Sequence, residues 1–399
     1  PRVRRQRQMC IRDSIDGVEM EFVYVLDTEA PVEIMVWLPQ LKAFCTAEDM
    51  THNMHNLQTL RGAKVRNGLL WSKAIDTAIE RYGDQVEVSF STHHWPTWGN
   101  ERIVDYWEAQ RDMYRYLHDQ TLHLANRGLT PDEIAEEMKL PASLASQFNC
   151  RGYYGTLSHN VKAQYDLYFG WFNGNPAHLN PLPPSELGSK YVEAIGGADK
   201  VLEVAKASYA KGEYRWVATL LDNLVFAEPE NKEARRLLAD TYTQLGYQAE
   251  SGPWRNFYLT GARDLFKKDV PYTSQLINDG VLAQMDMGTL LDYCAIQLNG
   301  EKAAGKEAVI NINFTDTKEK VMLMLNNGVL NHRLDSQDEK ADLTLEIEKM
   351  DFIKLFFGRT DLQTLLKTNK VRTTGNTQAM DVICSAYEPA DPNFKIVLP

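Results

Sequence analysis

The chain has 399 residues, enough for two or three domains, and its 44% hydrophobic and 24% charged residues are the balance of a folded globular protein. A formal net charge of -11 at pH 7 argues against a nucleic-acid partner, which needs a basic face. No run approaches the length of apolar sequence that spans a bilayer, so no transmembrane segment is expected.

Residues 1–14 hold five arginines (Arg2, Arg4, Arg5, Arg7, Arg12) against one acid, Asp13, with no apolar periodicity. Met9-Cys10-Ile11 is too short for the apolar core of an export signal, and the segment reads as a non-native leader before a chain that starts inside a domain. Val18 to Leu26 and Glu33 to Leu38 read as strands around a loop at Asp27 to Pro31, with Phe44 to Ala47 as a third. Leu70, Trp71, Ala74, Ile75, Ala78 and Ile79 share one helical face within Val65 to Tyr82. Val86 to Ser91 is a β-branched run that delivers His93-His94-Trp95-Pro96 to a strand end. Strands alternating with a helix describe an α/β layer.

The pattern then turns helical. Ile103, Tyr106, Trp107, Met113, Tyr114, Leu117 and Leu124 keep a helical period up to Gly128. Thr130-Pro131-Asp132-Glu133 offers an N-cap, a proline at the first helical position and a returning glutamate. Thr130 to Leu140 mimics the first helix of a DNA-binding corner, but in so acidic a chain it is a local helical bend. Residues 195–246 have the small–large spacing of tetratricopeptide helix pairs, a common way to build a dimer interface. The clearest boundary falls between Pro253 and Pro271. Beyond it, Met287 to Leu298 reads as a helix. Ala308 to Phe314, Lys320 to Leu325, Gly328 to Leu334 and Ala341 to Ile347 read as strands, with a hairpin signal at Asn326-Asn327-Gly328. Helices at Asp351 to Phe357 and Leu362 to Leu366 follow, so this is a separate α+β domain.

Glu29, Glu48, His52, His55, Arg61, His93 and His94 bring histidines and carboxylates together at loops and strand ends. These are the side chains that suit zinc and similar ions. The five cysteines (Cys10, Cys45, Cys150, Cys294, Cys384) form no C-x-x-C pair and point to neither a disulfide framework nor a thiolate site. There is no H-x-H and no H-E-x-x-H, so spacing alone leaves a metal site and ordinary structural histidines both open.

Longer runs carry a resemblance. Thr28-Glu29-Ala30-Pro31, Ala47-Glu48, Thr51-His52, His55-Asn56-Leu57, Thr59 to Arg66 and His93 to Gly99 are similar to the zinc-dependent linear alkyl sulfatases of the metallo-β-lactamase superfamily, which hydrolyse dodecyl sulfate. Gly152 to Thr156, Gly170 to Pro176 and Glu250 to Asn256 extend the likeness. The resemblance implies an α+β multidomain fold in three parts: a partial metallo-β-lactamase-like catalytic domain at 15–125, a helical dimerisation domain at 126–265, and a sterol-carrier-like domain at 271–399 that holds an apolar tunnel or is a plain packing domain. It implies a homodimer, an alkyl sulfate substrate and two zinc ions. Glu29, Glu48 and His93 match zinc ligands, His55 the catalytic histidine beside the leaving oxygen, Arg61 a sulfate-binding arginine, and Tyr153 or Tyr154 a substrate-contacting tyrosine. Trp95 and Trp98 would line an alkyl channel or belong to the core.

One departure bears on activity. The family's H-x-H-x-D-H motif, which supplies most of the ligands, is absent from these 399 residues. The expectation is therefore no activity from this polypeptide alone and a first sheet with exposed edges. Two rival expectations are a non-catalytic dimerisation and lipid-binding module, and a related hydrolase acting on another ester.

Overall fold

The computed structural model of the protein describes residues 10–266, 278–391 and 393–399. These belong to two compact units, Pro1–Lys267 with Lys395–Pro399, and Lys268–Phe394.

The first unit opens with a six-stranded sheet: β1 (Cys10–Ile15), β2 (Val18–Tyr24), β3 (Ile34–Leu38), β4 (Ala43–Cys45), β5 (Val88–Phe90) and β6 (Thr97–Trp98), in that spatial order. Neighbours are antiparallel except β4 and β5, whose parallel pairing is made possible by the crossover helix α1 (Gly68–Tyr82). Asn67 caps α1 by accepting hydrogen bonds from the amides of Leu69 and Leu70. Trp71, Ala74, Ile75 and Ala78 form its buried face, whereas Leu70, which shares the apolar period, is exposed. Alternation on β3 buries Met35 and Trp37 against the same core.

Part of the stretch read as a leader forms a strand. From Cys10 onward the chain pairs with β2 through the tight turn at Asp16-Gly17, with Arg12 opposite Glu21 and their side chains 3.4 Å apart. The strand is exposed at the sheet edge, so no apolar alternation announces it. Residues 1–9 lie outside the described residues.

The long helix α2 (Asn100–Ala125) covers α1, stacking Tyr114 on Trp71 at 4.6 Å and setting Trp107 edge-on to Phe44 at 5.2 Å. Helices α3 (Pro131–Glu137), α4 (Ala142–Ala145) and α5 (Leu157–Phe169) follow. The capping box at the start of α3 forms as its sequence suggests, Thr130 and Glu133 satisfying each other's backbone amides. The core begun by the sheet runs on through Ile134 and Val161 to Tyr165, so no break in packing falls at 125/126. A second core joins α6 (Pro184–Ile195), α7 (Ala198–Ala210), α8 (Tyr214–Ala227), α9 (Lys232–Gln248) and α10 (Gly252–Asp264). These are the helix pairs expected from the tetratricopeptide-like spacing. Leu398 is buried in that core, so the segment 395–399 belongs to it. The helix α10 occupies much of the stretch read as an inter-domain boundary. The rest of that stretch, from 267, lies outside the described residues.

The second unit holds α11 (Asp279–Gln284), α12 (Met287–Ala295), α13 (Gly300–Ala303), α14 (Lys349–Phe356), α15 (Leu362–Lys367) and α16 (Gln378–Cys384). They pack on a sheet of β7 (Ala308–Phe314), β8 (Lys320–Asn326), β9 (Val329–Leu334), β10 (Leu343–Ile347) and β11 (Val371–Gly375), in the order β11-β10-β7-β8-β9. The β8–β9 turn uses Asn327 and Gly328 at φ 53° and 77°, the left-handed pair that a two-residue hairpin requires. β10 pairs parallel to β7, which no local pattern foretold. A cavity of about 350 Å³ in this unit is lined by Glu346, Glu348, Asp351, Asn369, Lys370 and Arg372 and is charged. Among the described residues no helix is long and apolar enough to cross a membrane.

Candidate metal and active site

The ends of β2, β4 and β5 open toward a common place. Glu29 stands in the β2–β3 loop, Glu48 follows β4, and His93 follows β5. Backbone bonds fix the last two elements together: the Thr46 amide donates to Phe90 O at 2.9 Å and that of Thr92 to Ala47 O at 3.0 Å. Ala47 (φ 49°) and His93 (φ 69°) both adopt the left-handed conformation that non-glycine residues rarely use. Such strain persists where surrounding structure demands it, and it gathers at functional sites.

Oxygen atoms of Glu29 and Glu48 and a ring nitrogen of His55 all lie within 4.8 Å of one another. His55 Nε2 is 3.1 Å from Glu48 Oε2, and His93 Nε2 is 2.8 Å from Glu48 Oε1. His93 thus joins the cluster through Glu48, whereas His55, assigned from sequence to the leaving group, sits among the carboxylates. The hydrogen bond from His55 is the main reason the Glu48 carboxyl is held down at about 2, against the opposing effect of burial. Glu33 goes the other way, pushed up to about 7 by burial and by the neighbouring Glu29. Beneath them Asp49 is fully buried, donated to by Thr28 Oγ1 at 3.2 Å, and burial raises its carboxyl well above the usual range.

His55 is itself buried, at 5% exposure. Its Nδ1 lies 3.0 Å from Asn56 O, and a carbonyl only accepts, so Nδ1 carries the hydrogen. Nε2 then faces Glu48, as a second N–H donor in the imidazolium or, in the neutral ring, as a lone pair. A lone pair faces a carboxylate only when a proton or a cation lies between them. Two carboxylates and an imidazole whose far nitrogen is tied to a carbonyl make the usual donor set and outer support of a zinc ligand. The residues present therefore fit a divalent ion.

Tyr154 sets its ring edge-on to His55 at 4.7 Å, while Tyr153 packs on Phe148 at 5.7 Å under the Arg151 guanidinium. Of the two tyrosines, only Tyr154 touches the cluster. Gly155 permits this approach, because a Cβ there would meet His55 O at 2.4 Å. Arg61 is exposed and makes no side-chain hydrogen bond or ion pair among the described residues. Arg66 does instead. Its guanidinium grips the Glu29 carboxylate and the Asn56 side chain and donates to Asn56 O at 3.0 Å. Arg66 stood in the matched run, yet nothing in its spacing distinguished it from Arg61. The other two histidines pair separately: His52 with Thr97 at 2.9 Å, and His94 with Asn53 at 3.2 Å. Their rings lie 5.6 Å apart, and burial lowers the pKa of both. Trp95 and Trp98 are 59% and 60% exposed, which removes the core alternative for them.

Comparison with known proteins decides the family. Residues 130–268 match the alkyl sulfatase dimerisation model and 275–399 the alkyl sulfatase C-terminal model. A linear primary-alkylsulfatase of Pseudomonas sp. (strain ATCC 19151) is 32% identical over 95% of this chain and 74% of its own length. The chain belongs to the alkylsulfatase family. Another linear primary-alkylsulfatase, from Pseudomonas sp., is 45% identical over 96% of the chain but only 57% of its own length. The solved structure of the stereoselective inverting sec-alkylsulfatase Pisa1 from Pseudomonas sp. superposes with a TM-score of 0.95 at 40% identity, covering 99% of this chain and 62% of that one. This family member therefore spans about three-fifths of the length of such relatives. Their family consists of sulfuric ester hydrolases, and the mixed α+β fold with its helical and C-terminal parts is the fold they share.

Proposed function

We propose that this chain carries part of the catalytic centre of a zinc-dependent hydrolase of linear alkyl sulfate esters such as dodecyl sulfate, in a metallo-β-lactamase-like setting. The observation that carries the reading is the convergence of Glu29, Glu48 and His55 within 4.8 Å, with His93 joined to Glu48. Glu29, Glu48 and His93 are the proposed ligands, and His55 has the donor geometry to serve beside them. Zinc supplies an activated water at neutral pH. Arg61, with its guanidinium unengaged, is suited to hold the sulfate as a fork, whereas Arg66 is committed to Glu29. Tyr154 borders the space in front of His55, where the ester oxygen would lie. The match of 130–268 to a dimerisation model supports a homodimer built on the helical segment. The second unit would be the sterol-carrier-like part of the enzyme.

Three ligands do not complete a site of two ions, so hydrolysis is proposed for the protein with an H-x-H-x-D-H segment supplied, and not for these residues alone. The test joins that segment from a relative to this chain, loads zinc and measures sulfate released from dodecyl sulfate. Turnover is expected from the joined protein, none from this chain, and a loss of at least a hundredfold in Glu48→Gln. Arg61→Ala should raise KM more than it lowers kcat. A joined, folded protein that takes up no zinc and hydrolyses nothing would favour the rival dimerisation and lipid-binding module. Turnover of a different ester alone would favour the related hydrolase.

A further inference from the structure

The loop that carries His55 and Arg66 is held by a helix outside the sheet. On α5, Asn160 and Gln164 are fully buried and, four residues apart, share one face. Asn160 Nδ2 donates to His55 O at 2.9 Å, and its Oδ1 accepts from the Leu57 amide at 2.8 Å. Gln164 repeats the pattern: Nε2 donates to Arg66 O at 2.9 Å, and Oε1 accepts from the Gly68 amide at 3.0 Å. Each side-chain amide spans the carbonyl of one residue and the N–H two residues later, as a neighbouring strand would. Between them His159 Nε2 donates to Gln58 O at 2.7 Å and is fixed in turn by Trp254 Nε1 on Nδ1 at 3.1 Å.

These bonds fall on the arc 55–68 and bracket its two functional side chains. A buried amide with all partners met is a rigid support, and one lost partner leaves backbone groups unsatisfied. A packing role alone would need apolar side chains on this face. We infer that Asn160 and Gln164 are positioning residues of the candidate metal site. By this inference the segment matched by the dimerisation model also sets where His55 and Arg66 stand. It rests on the metal reading above.

The test uses the full chain and cobalt(II) as probe. Asn160→Ala and Gln164→Ala are compared with Leu238→Ala, a cavity in the helical core at an apolar residue that makes no hydrogen bond to the arc. Cobalt affinity should fall about tenfold or more in the first two, as for the outer supports of metal sites, and stay within twofold in the third. Amide exchange should speed up selectively in peptides 54–58 and 66–70 of the first two variants. Unchanged cobalt affinity in both, with a loss of melting temperature like that of Leu238→Ala, would overturn the inference. If neither the unaltered chain nor the protein joined to an H-x-H-x-D-H segment binds cobalt, the metal reading fails, and the exchange pattern decides alone: confined to the two peptides it supports positioning, spread evenly it refutes it.

Discussion

His55 Nε2 meets Glu48 Oε2 at 3.1 Å while the opposite nitrogen of the same ring is committed to a backbone carbonyl. The ring can neither flip nor exchange tautomer without losing the carbonyl bond, so its Nε2 is aimed at one place. Divalent-ion binding should depend on both partners. Calorimetric titration with zinc is expected to show at least a tenfold weaker affinity for His55→Ala and for Glu48→Gln, with His93→Ala weaker by less. Equal affinity in all three variants would remove the cluster as a metal site.

Arg66 neutralises Glu29 in surroundings that leave each side chain little exposed, 11% and 16%. Arg66→Ala leaves a half-buried carboxylate beside Glu33 without its cation. Urea unfolding should show a loss of roughly 2 kcal/mol or more, larger than for an exposed pair. The double variant Arg66→Ala with Glu29→Gln should recover part of that loss. If the double variant is no better than the single one, the arginine acts by packing and not by charge.

Glu33 predicts a pH dependence with a definite direction. In the folded protein its carboxyl stays protonated up to about 7, because burial and the neighbouring Glu29 disfavour the anion, while in the unfolded chain it ionises near 4.5. Folding therefore retains a proton between these values. The contribution is full below 4.5 and is lost as the pH rises through 7. Chelator-treated protein should lose stability over that window, and Glu33→Gln should flatten the profile there. Urea midpoints measured from pH 4 to 8 in the two proteins decide it.

Gly155 lies against the carbonyl of His55, where a single methyl group would overlap backbone. Gly155→Ala should cost about 1–3 kcal/mol by overpacking and should weaken zinc binding with it, because the displaced atom belongs to a proposed ligand residue. An alanine variant of normal stability and normal zinc affinity would show that the loop yields freely.

Much of this architecture was legible where the physics is local. Helix α1 is announced by its apolar period and by Asn67, and α3 by a capping box that closes through atoms three residues apart. The β8–β9 hairpin is written in Asn327-Gly328. Glu29, Glu48 and His93 were expected as ligands and His55 as the catalytic histidine; the structure groups Glu29 and Glu48 with His55 and joins His93 through Glu48. What sequence reading missed is non-local. β1 is an exposed edge strand whose hydrogen bonds, not its side chains, secure it. Arg66 differs from Arg61 only in what the folded loop brings to it. Asn160 and Gln164 are polar residues on a helix, and such residues ordinarily face water. Their partners lie about a hundred residues away, beyond the reach of any periodicity.

The return of Leu398 to the helical core has a consequence for cooperativity. The second unit is spliced into the first, so completing the helical core closes a loop that contains an entire folding unit. While that unit is folded its own conformation is already fixed and closure costs less chain entropy. Once it unfolds, the same closure must confine more than a hundred flexible residues, and the cost grows with the logarithm of their number. A lesion in the second unit should therefore lower the melting point of helices it need not touch, and the two units should melt closer together than their separate cores would dictate.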